Sequence, residues 1–319
     1  MLYSVLGALF LITFYHLSPS TSTGSNSRQP RPQPIPTHDS ATTHNHKWHE
    51  RPLKYPVASL VSLPTGQPRA IPHVQFSFEA ENERNKRVRL GRLEIVKEAF
   101  IHSWEGYKSQ AWLKDEVAPI TGGYRTTFGG WGATLVDTLD TLWIMGKKED
   151  FEEAVQAVSK IDFSAVEQVP LNVFETTIRY LGGFLGAYDV SEGKYPVLLS
   201  KAIEVGEMLY AAFDTPNRMP ITRWIPDEGT PQQGLERTLL AEIGSLSLEF
   251  TRLSQLSGDM RYFDAVQRIM DVLDQQQNRT KLPGMWPILV NARTGDFSRD
   301  TFFTLGGMAD SAYEYLPKV

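Results

Sequence analysis

From Leu135 onward the apolar positions follow the spacing of a helix face, and strand-like alternation is scarce. Leu135, Val136, Leu139, Leu142 and Trp143 fall at i, i+1, i+4, i+7 and i+8, and Tyr262, Phe263, Val266, Ile269, Met270 and Leu273 extend the same series. Both stretches predict amphipathic helices whose apolar stripe must be buried against a neighbour. The pattern also repeats as a unit. TLWIMGKKEDFEEAVQAV, LGAYDVSEGKYPVLLSKAIEVGEML and RLSQLSGDMRYFDAVQRIMDVL each run from an apolar helix end through a polar turn and an aromatic residue to an alanine, Ala154, Ala202 and Ala265. Unequal distances between the repeats mean that loops vary while the unit is constant. The plan is a chain of αα-hairpins, which stacks as an open solenoid or curves into a toroid with inner and outer helix layers.

The pattern changes toward the N-terminus. Residues 1–17, MLYSVLGALFLITFYHL, carry no charged side chain and predict a signal-anchor or a cleaved signal peptide, slightly short for a span of roughly 20 residues. Either way the rest of the chain is expected to be lumenal or extracellular. Residues 18–51 are rich in Ser, Thr, Pro, Asn and His and are expected to form a disordered stem. His44, His46 and His49 lie in or near that tract without acidic or cysteine support and are read as solvated rather than as metal ligands. Residues 52–85 are punctuated by proline and expected to be extended, lying on the domain. From 86 to 319 the helical pattern holds, opening with a charge run read as a solvated helix face.

Composition narrows the partners. The chain has 319 residues, 41% of them hydrophobic, enough for a sizeable core. A net charge of -5 and a pI near 5.9 supply no basic field for phosphate backbones, so nucleic acid is not expected as a partner. There is no cysteine, so no disulfide can form.

The acidic residues carry the candidate chemistry. On the hairpin plan, the first helix of each unit begins with an acid: Asp137 and Asp140, Glu175, Glu242, and Asp310 in a fourth. In a toroid these starts share one rim, with Trp131, Trp143, Phe174 and Tyr313 interleaved. Glycoside hydrolysis needs such convergence, one carboxylic acid to protonate the leaving oxygen and a second carboxylate to act at the anomeric carbon or on an attacking water. The bland alternative is that each acid complements its helix dipole, worth roughly 0.3–1 kcal/mol. Asn172 and Glu175 also read as a helix cap with the glutamate folding back on the cap amide. Arg179, one turn later, is placed to pair with Glu175.

Four blocks are recognisable: AFIHSWEGYKSQAWLKDEVAPITGGYRTTFGGWGATLVDTLDTLWIMG, NVFETTIRYLGGFLGAYDVS, AEIGSLSLEFTRLSQLSGD and FFTLGGMADSAYEYLPK. In order and over about residues 86–319, they resemble the class I α-1,2-mannosidases, glycoside hydrolase family 47, and KYPVASLVSLPTGQPRAIP is similar to the filamentous fungal members. The resemblance implies an all-α fold, an (α/α)7 toroid. It implies calcium-dependent, inverting removal of terminal α-1,2-linked mannose from high-mannose N-glycans by a type II membrane protein of the Golgi or endoplasmic reticulum, with secretion as the alternative. The same resemblance makes Glu175 the general acid with Arg179 beside it, Asp310 a second essential carboxylate, and Glu242 a sugar contact; Glu175 then serves as both cap and catalyst. Met308 stands where single-mannose members carry arginine, so trimming of several mannoses is expected.

By the same resemblance only about the first four hairpins are present before Val319. The family's remaining catalytic glutamate and its calcium-binding threonine fall beyond that point, so no metal ligand is expected in this chain, and the chain alone is expected to be an inactive N-terminal portion. The sequon at Asn278 is a candidate glycosylation site. A second reading is a lectin-like binder of high-mannose glycans in endoplasmic-reticulum quality control, and a third is a helical scaffold without a sugar pocket.

Overall fold

A computed structural model describes residues 44–45, 47–67, 70, 72–166, 170–226 and 232–319, all within the unit Ala41–Val319. The 1–17 segment, most of the 18–51 tract and His46 lie outside the described residues. The long charged pattern forms α1 (Glu83–Ala111), which starts three residues before position 86 because the Asn82 side chain caps it, accepting from the Asn85 amide at 2.9 Å. Its first turns are exposed, and its last turns bury Trp104, Tyr107 and Ala111.

Short helices α2 (Ala133–Asp137) and α3 (Leu139–Ile144) meet at Thr138, where a single helix was expected from the periodicity. They are followed by α4 (Lys148–Val158), α5 (Val173–Thr176), a π-helical turn (Thr177–Leu181), α6 (Gly182–Val190) and α7 (Pro196–Tyr210). Then come α8 (Leu240–Gly244), α9 (Ser247–Ser257), α10 (Met260–Gln276) and α11 (Asp310–Tyr315). The expected hairpins are α3 with α4, α6 with α7 and α9 with α10, each packed along its length. Ala154, Ala202 and Ala265 are fully buried, each on the second helix of its pair, where a larger side chain would hold the two helices apart. Helices α3, α6 and α9 pack in series as one layer, with α7 and α10 in contact in the other. This is the hairpin architecture of the (α/α)7 toroid.

Two-residue strands tie the helix starts together. Antiparallel pairs join β1 (His44–Asn45) to β4 (Ala165–Val166), β5 (Leu171–Asn172) to β6 (Arg223–Trp224), and β7 (Thr238–Leu239) to β8 (Leu289–Val290); a tight hairpin joins β2 (Glu116–Ala118) to β3 (Gly123–Arg125). Because β5 runs directly into α5 and β7 into α8, the ladders pin the two helix starts that carry Glu175 and Glu242.

The N-terminal tract departs from the stem expected over 18–51. Trp48, in a 3-10 turn (Trp48–Glu50), is buried; its indole N–H donates to the Phe163 carbonyl at 2.9 Å and its ring lies 5.7 Å from that of Trp224. A large aromatic can join a core through one side chain even where the flanking composition is polar. Beyond it the chain is extended and held by backbone contacts. Both oxygens of buried Asp214 accept from the Lys54 and Tyr55 amides at 2.9 and 2.8 Å, and Asp264 accepts from the Val61 amide at 2.8 Å. In each case an arginine four residues later completes the clamp: Arg218 donates to the Tyr55 carbonyl and Arg268 to the Ser59 carbonyl, both at 3.3 Å.

Candidate functional site

Asn172 caps α5 as expected, its side-chain oxygen accepting from the Glu175 amide at 3.2 Å. The reciprocal half of the capping box does not form. The Glu175 carboxylate turns to Arg179, whose Nε donates to it at 2.8 Å, while Arg179 Nη1 donates to Asp137 at 3.1 Å. Sequence reasoning anticipated the first of these bonds. The second spans 42 residues and has no local signature.

The helix is shaped for this contact. Thr177 returns its hydroxyl to the Val173 carbonyl at 2.8 Å, a side-chain bond that competes with the backbone ladder, and the π turn begins there. Within the turn Arg179 faces the acids and Tyr180 is buried. Gly183 lets α6 approach α2, since a Cβ there would lie 2.7 Å from the Val136 carbonyl oxygen. That close approach brings Arg179 to Asp137.

Glu175 lies on the wall of a cavity of about 420 Å³ with Asn172, Thr176, Lys114, Asp162 and the loop from Thr126 to Trp131. Its side chain is 23% exposed, that of Arg179 33% and that of Asp137 43%, so the trio sits at the boundary between protein and solvent. Burial raises the Asp137 carboxyl above the ordinary aspartate range, and Arg179 opposes the shift. One guanidinium therefore serves two carboxyl groups.

Glu242 is buried on α8, and Arg223 Nη2 reaches its Oε1 at 2.5 Å. Arg223 pairs with Asn172 in the β5–β6 ladder, so this ion pair stands beside the cap of the Glu175 helix. Arg223 was not anticipated, because its role follows from a strand pairing 51 positions apart and from no motif of its own. Asp310 opens α11, exposed, its carboxylate accepting only the adjacent Ser311 amide at 3.0 Å among the described contacts. Helix α11 packs on α8, where Ser245 donates to the Ser311 hydroxyl at 2.9 Å, and the Met308 carbonyl accepts from the Ala241 amide at 3.0 Å. Among the described residues, no contact joins Asp310 or Met308 directly to Glu175 or Arg179. Met308 is exposed and holds a left-handed backbone, φ 75°, unusual for a side chain of its kind.

Two expected participants lie elsewhere. Asp140 sits further along against α6, with a carboxylate oxygen 3.4 Å from the position a Cβ on Gly186 would take. Trp143 packs against Phe151 and Tyr195 at the hairpin end, whereas Trp131 does line the cavity. Both follow from helix geometry, since Asp140 and Trp143 are carried past the rim by the turns after Asp137. Asn278 is exposed, just past α10. Among the described residues no group of three or more His, Cys, Asp or Glu side chains is placed to hold a metal ion. Nor is any described helix long and apolar enough to cross a membrane.

The model of the family described as glycosyl hydrolase family 47 matches residues 99–319. The chain is 40% identical over 227 residues to the endoplasmic reticulum mannosyl-oligosaccharide 1,2-alpha-mannosidase of Rattus norvegicus, covering 70% of this chain and 33% of that protein. It is 36% identical over 274 residues to the probable mannosyl-oligosaccharide alpha-1,2-mannosidase 1B of Aspergillus niger, covering 82% and 53%. Among solved structures, an alpha-1,2-mannosidase from Trichoderma reesei aligns with a TM-score of 0.60 at 31% identity, over 72% of this chain and 50% of that one. The matched region thus spans about a third to a half of the length of these relatives.

Proposed function

Because the chain belongs to glycosyl hydrolase family 47, we propose that it serves the inverting hydrolysis of terminal α-1,2-linked mannose on high-mannose N-glycans, with Glu175 as the proton donor. The observation that carries this reading is Glu175 on the cavity wall, its carboxylate held by Arg179, which also bonds Asp137. In such a reaction a carboxylic acid gives its proton to the glycosidic oxygen as the bond to the anomeric carbon breaks. Water attacks that carbon from the opposite face and surrenders a proton to a second carboxylate, roughly 6.5–9.5 Å from the first. Arg179, bonded to Glu175 and to Asp137 at once, fixes the Glu175 carboxyl group at the cavity wall. Asp310 is proposed as a further essential carboxylate, the water's proton going to the family's remaining catalytic glutamate, and Arg179, Glu242 and Met308 are the proposed sugar contacts. Met308 supplies an apolar surface where an arginine would fix one glycan branch, which favours removal of several mannoses.

Calcium belongs to the reading as a family expectation. In a protein that also carries the family's calcium-binding threonine, chelation should abolish mannose release and added calcium restore it. Placement in the endoplasmic reticulum or Golgi lumen, anchored through residues 1–17 as a type II protein, is likewise proposed, with secretion as the alternative. Residues 1–17 are proposed as the signal segment and the tract after them as a stem that ends before buried Trp48. Asn278 is the proposed N-glycan acceptor, checked by a mass shift on enzymatic deglycosylation.

The deciding experiment is Glu175→Gln in a protein that carries this chain together with the family's remaining catalytic glutamate. Loss of mannose release by at least about 100-fold with glycan affinity retained is the expected result, in keeping with removal of a general acid. Unchanged behaviour would favour the lectin-like reading instead.

A further inference from the structure

Behind the cavity, and contributing no surface to its wall, lies Asp115, a fully buried carboxylate with an unusual set of partners. One oxygen accepts from the Phe128 and Gly130 amides at 2.7 and 2.9 Å, and the other from the Gly132 and Ala133 amides at 2.9 and 3.0 Å. The Tyr180 hydroxyl stands 3.0 Å from the second oxygen and 2.9 Å from the Phe128 carbonyl, shared between them. Every one of these contacts asks the Asp115 side chain to accept. Burial, reinforced by the Asp115 charge, pushes the Tyr180 hydroxyl up, so it remains a donor.

The loop bends around this carboxylate because its glycines permit it. Gly129 has φ +93°, and a Cβ there would meet the Trp131 ring at 2.6 Å. With the amides of Phe128, Gly130, Gly132 and Ala133 turned onto Asp115, Phe128 is held so that its ring takes the Arg179 guanidinium at 4.6 Å from the ring centre. Tyr180, the next residue after Arg179 in the π turn, is anchored to the same carboxylate. Asp115 thus holds both walls between which Arg179 stands.

We propose that Asp115 is a positioning residue for Glu175, tying the 126–132 loop to the π turn so that Arg179 is presented to Glu175 and Asp137 at once. The inference rests on the hydrolase reading for its catalytic consequence and on the contacts above for its geometry. A positional role matters because a displacement of about 1 Å in a reacting group can cost a hundredfold in rate.

The experiment is Asp115→Asn in the full chain, which keeps the volume and forces an amide N–H₂ against backbone donors. Tyr180→Phe, which removes only the hydroxyl, is the second variant, and it decides the matter if the first does not fold. Each is crystallised and assayed for mannose release. The expected structures show Arg179 withdrawn from the Phe128 ring, with its separation from Glu175 beyond about 3.5 Å, the limit of a hydrogen bond. Where the wild type turns over, kcat should fall by about tenfold or more with KM within about twofold, the signature of an interaction made in the transition state. If Arg179 holds its place in whichever variants fold, or if only the melting temperature moves while kcat is unchanged, the proposal is overturned. Glu175→Gln run in parallel separates the two readings: turnover indifferent to it sinks the hydrolase assignment and leaves the positional result to stand or fall on the structures.

Discussion

Arg223 and Glu242 test the rim at the scale of single side chains. Glu242 is 8% exposed in its side chain and Arg223 45%, so removing the arginine strands a buried carboxylate, while solvent at the arginine end moderates the cost. Arg223→Met is expected to lower stability by about 1–2 kcal/mol and to weaken high-mannose glycan binding, read by chemical denaturation and calorimetric titration. Glu242→Gln with Arg223→Met should recover part of that stability, because the uncompensated charge is gone; full additivity of the two losses would refute the coupling. Met308 is tested by selectivity. Met308→Arg keeps the left-handed backbone and adds a fork of donors, so products from a high-mannose glycan should stop at fewer mannoses removed, visible by mass spectrometry. An unchanged product ladder would deny Met308 its role.

At the scale of elements, the clamps on the extended segment form a repeated device, Asp214 with Arg218 and Asp264 with Arg268, each spaced by four residues and gripping both donors and acceptors of the passing chain. Asp214 takes two amides and Asp264 one, so Asp214→Ala should destabilise by about 2–4 kcal/mol and Asp264→Ala by less, with amide exchange accelerating over residues 54–61 before the helices respond. Simultaneous loss of protection in strap and core would mean that the segment is no separate element. Nothing in the pattern 54–61 announces these contacts, since a strap bound through its backbone leaves no periodicity. The hairpins are the opposite case. Their helices were legible because burial of one face imposes a 3.6-residue period, and Ala154, Ala202 and Ala265 marked the crossings. Two-residue strands are too short to alternate, and the π turn depends on one threonine hydroxyl, so both were invisible. In the site, Glu175 with Arg179 was legible as an i, i+4 pair. Asp115 and Arg223 were not, because their partners come from chain-distant loops and strands.

For the molecule as a whole, the meeting point of α6, α9 and α11 carries a titrating group away from the cavity. Glu249 on α9 accepts from the Tyr315 hydroxyl of α11 at 2.8 Å, lies against Gly182 of α6, and has its other oxygen buried without a partner among the described residues. Burial pushes its carboxyl up to about 7, the Tyr315 bond opposing. The folded state therefore holds this proton over a range in which the unfolded chain, at about 4.3, has released it. Between those two values the folded state binds more protons, so stability falls as pH rises and levels off above about 7. The loss should amount to roughly 1–3 kcal/mol, the lower part of the range reflecting the partial exposure of the residue around its buried carboxyl. Glu249→Gln should flatten this limb and raise the denaturation midpoint at pH 8 above that of the wild type, with little change at pH 4.5. A variant curve parallel to the wild type across that range would show that Glu249 is ionised in the folded protein and that the junction of α6, α9 and α11 tolerates its charge.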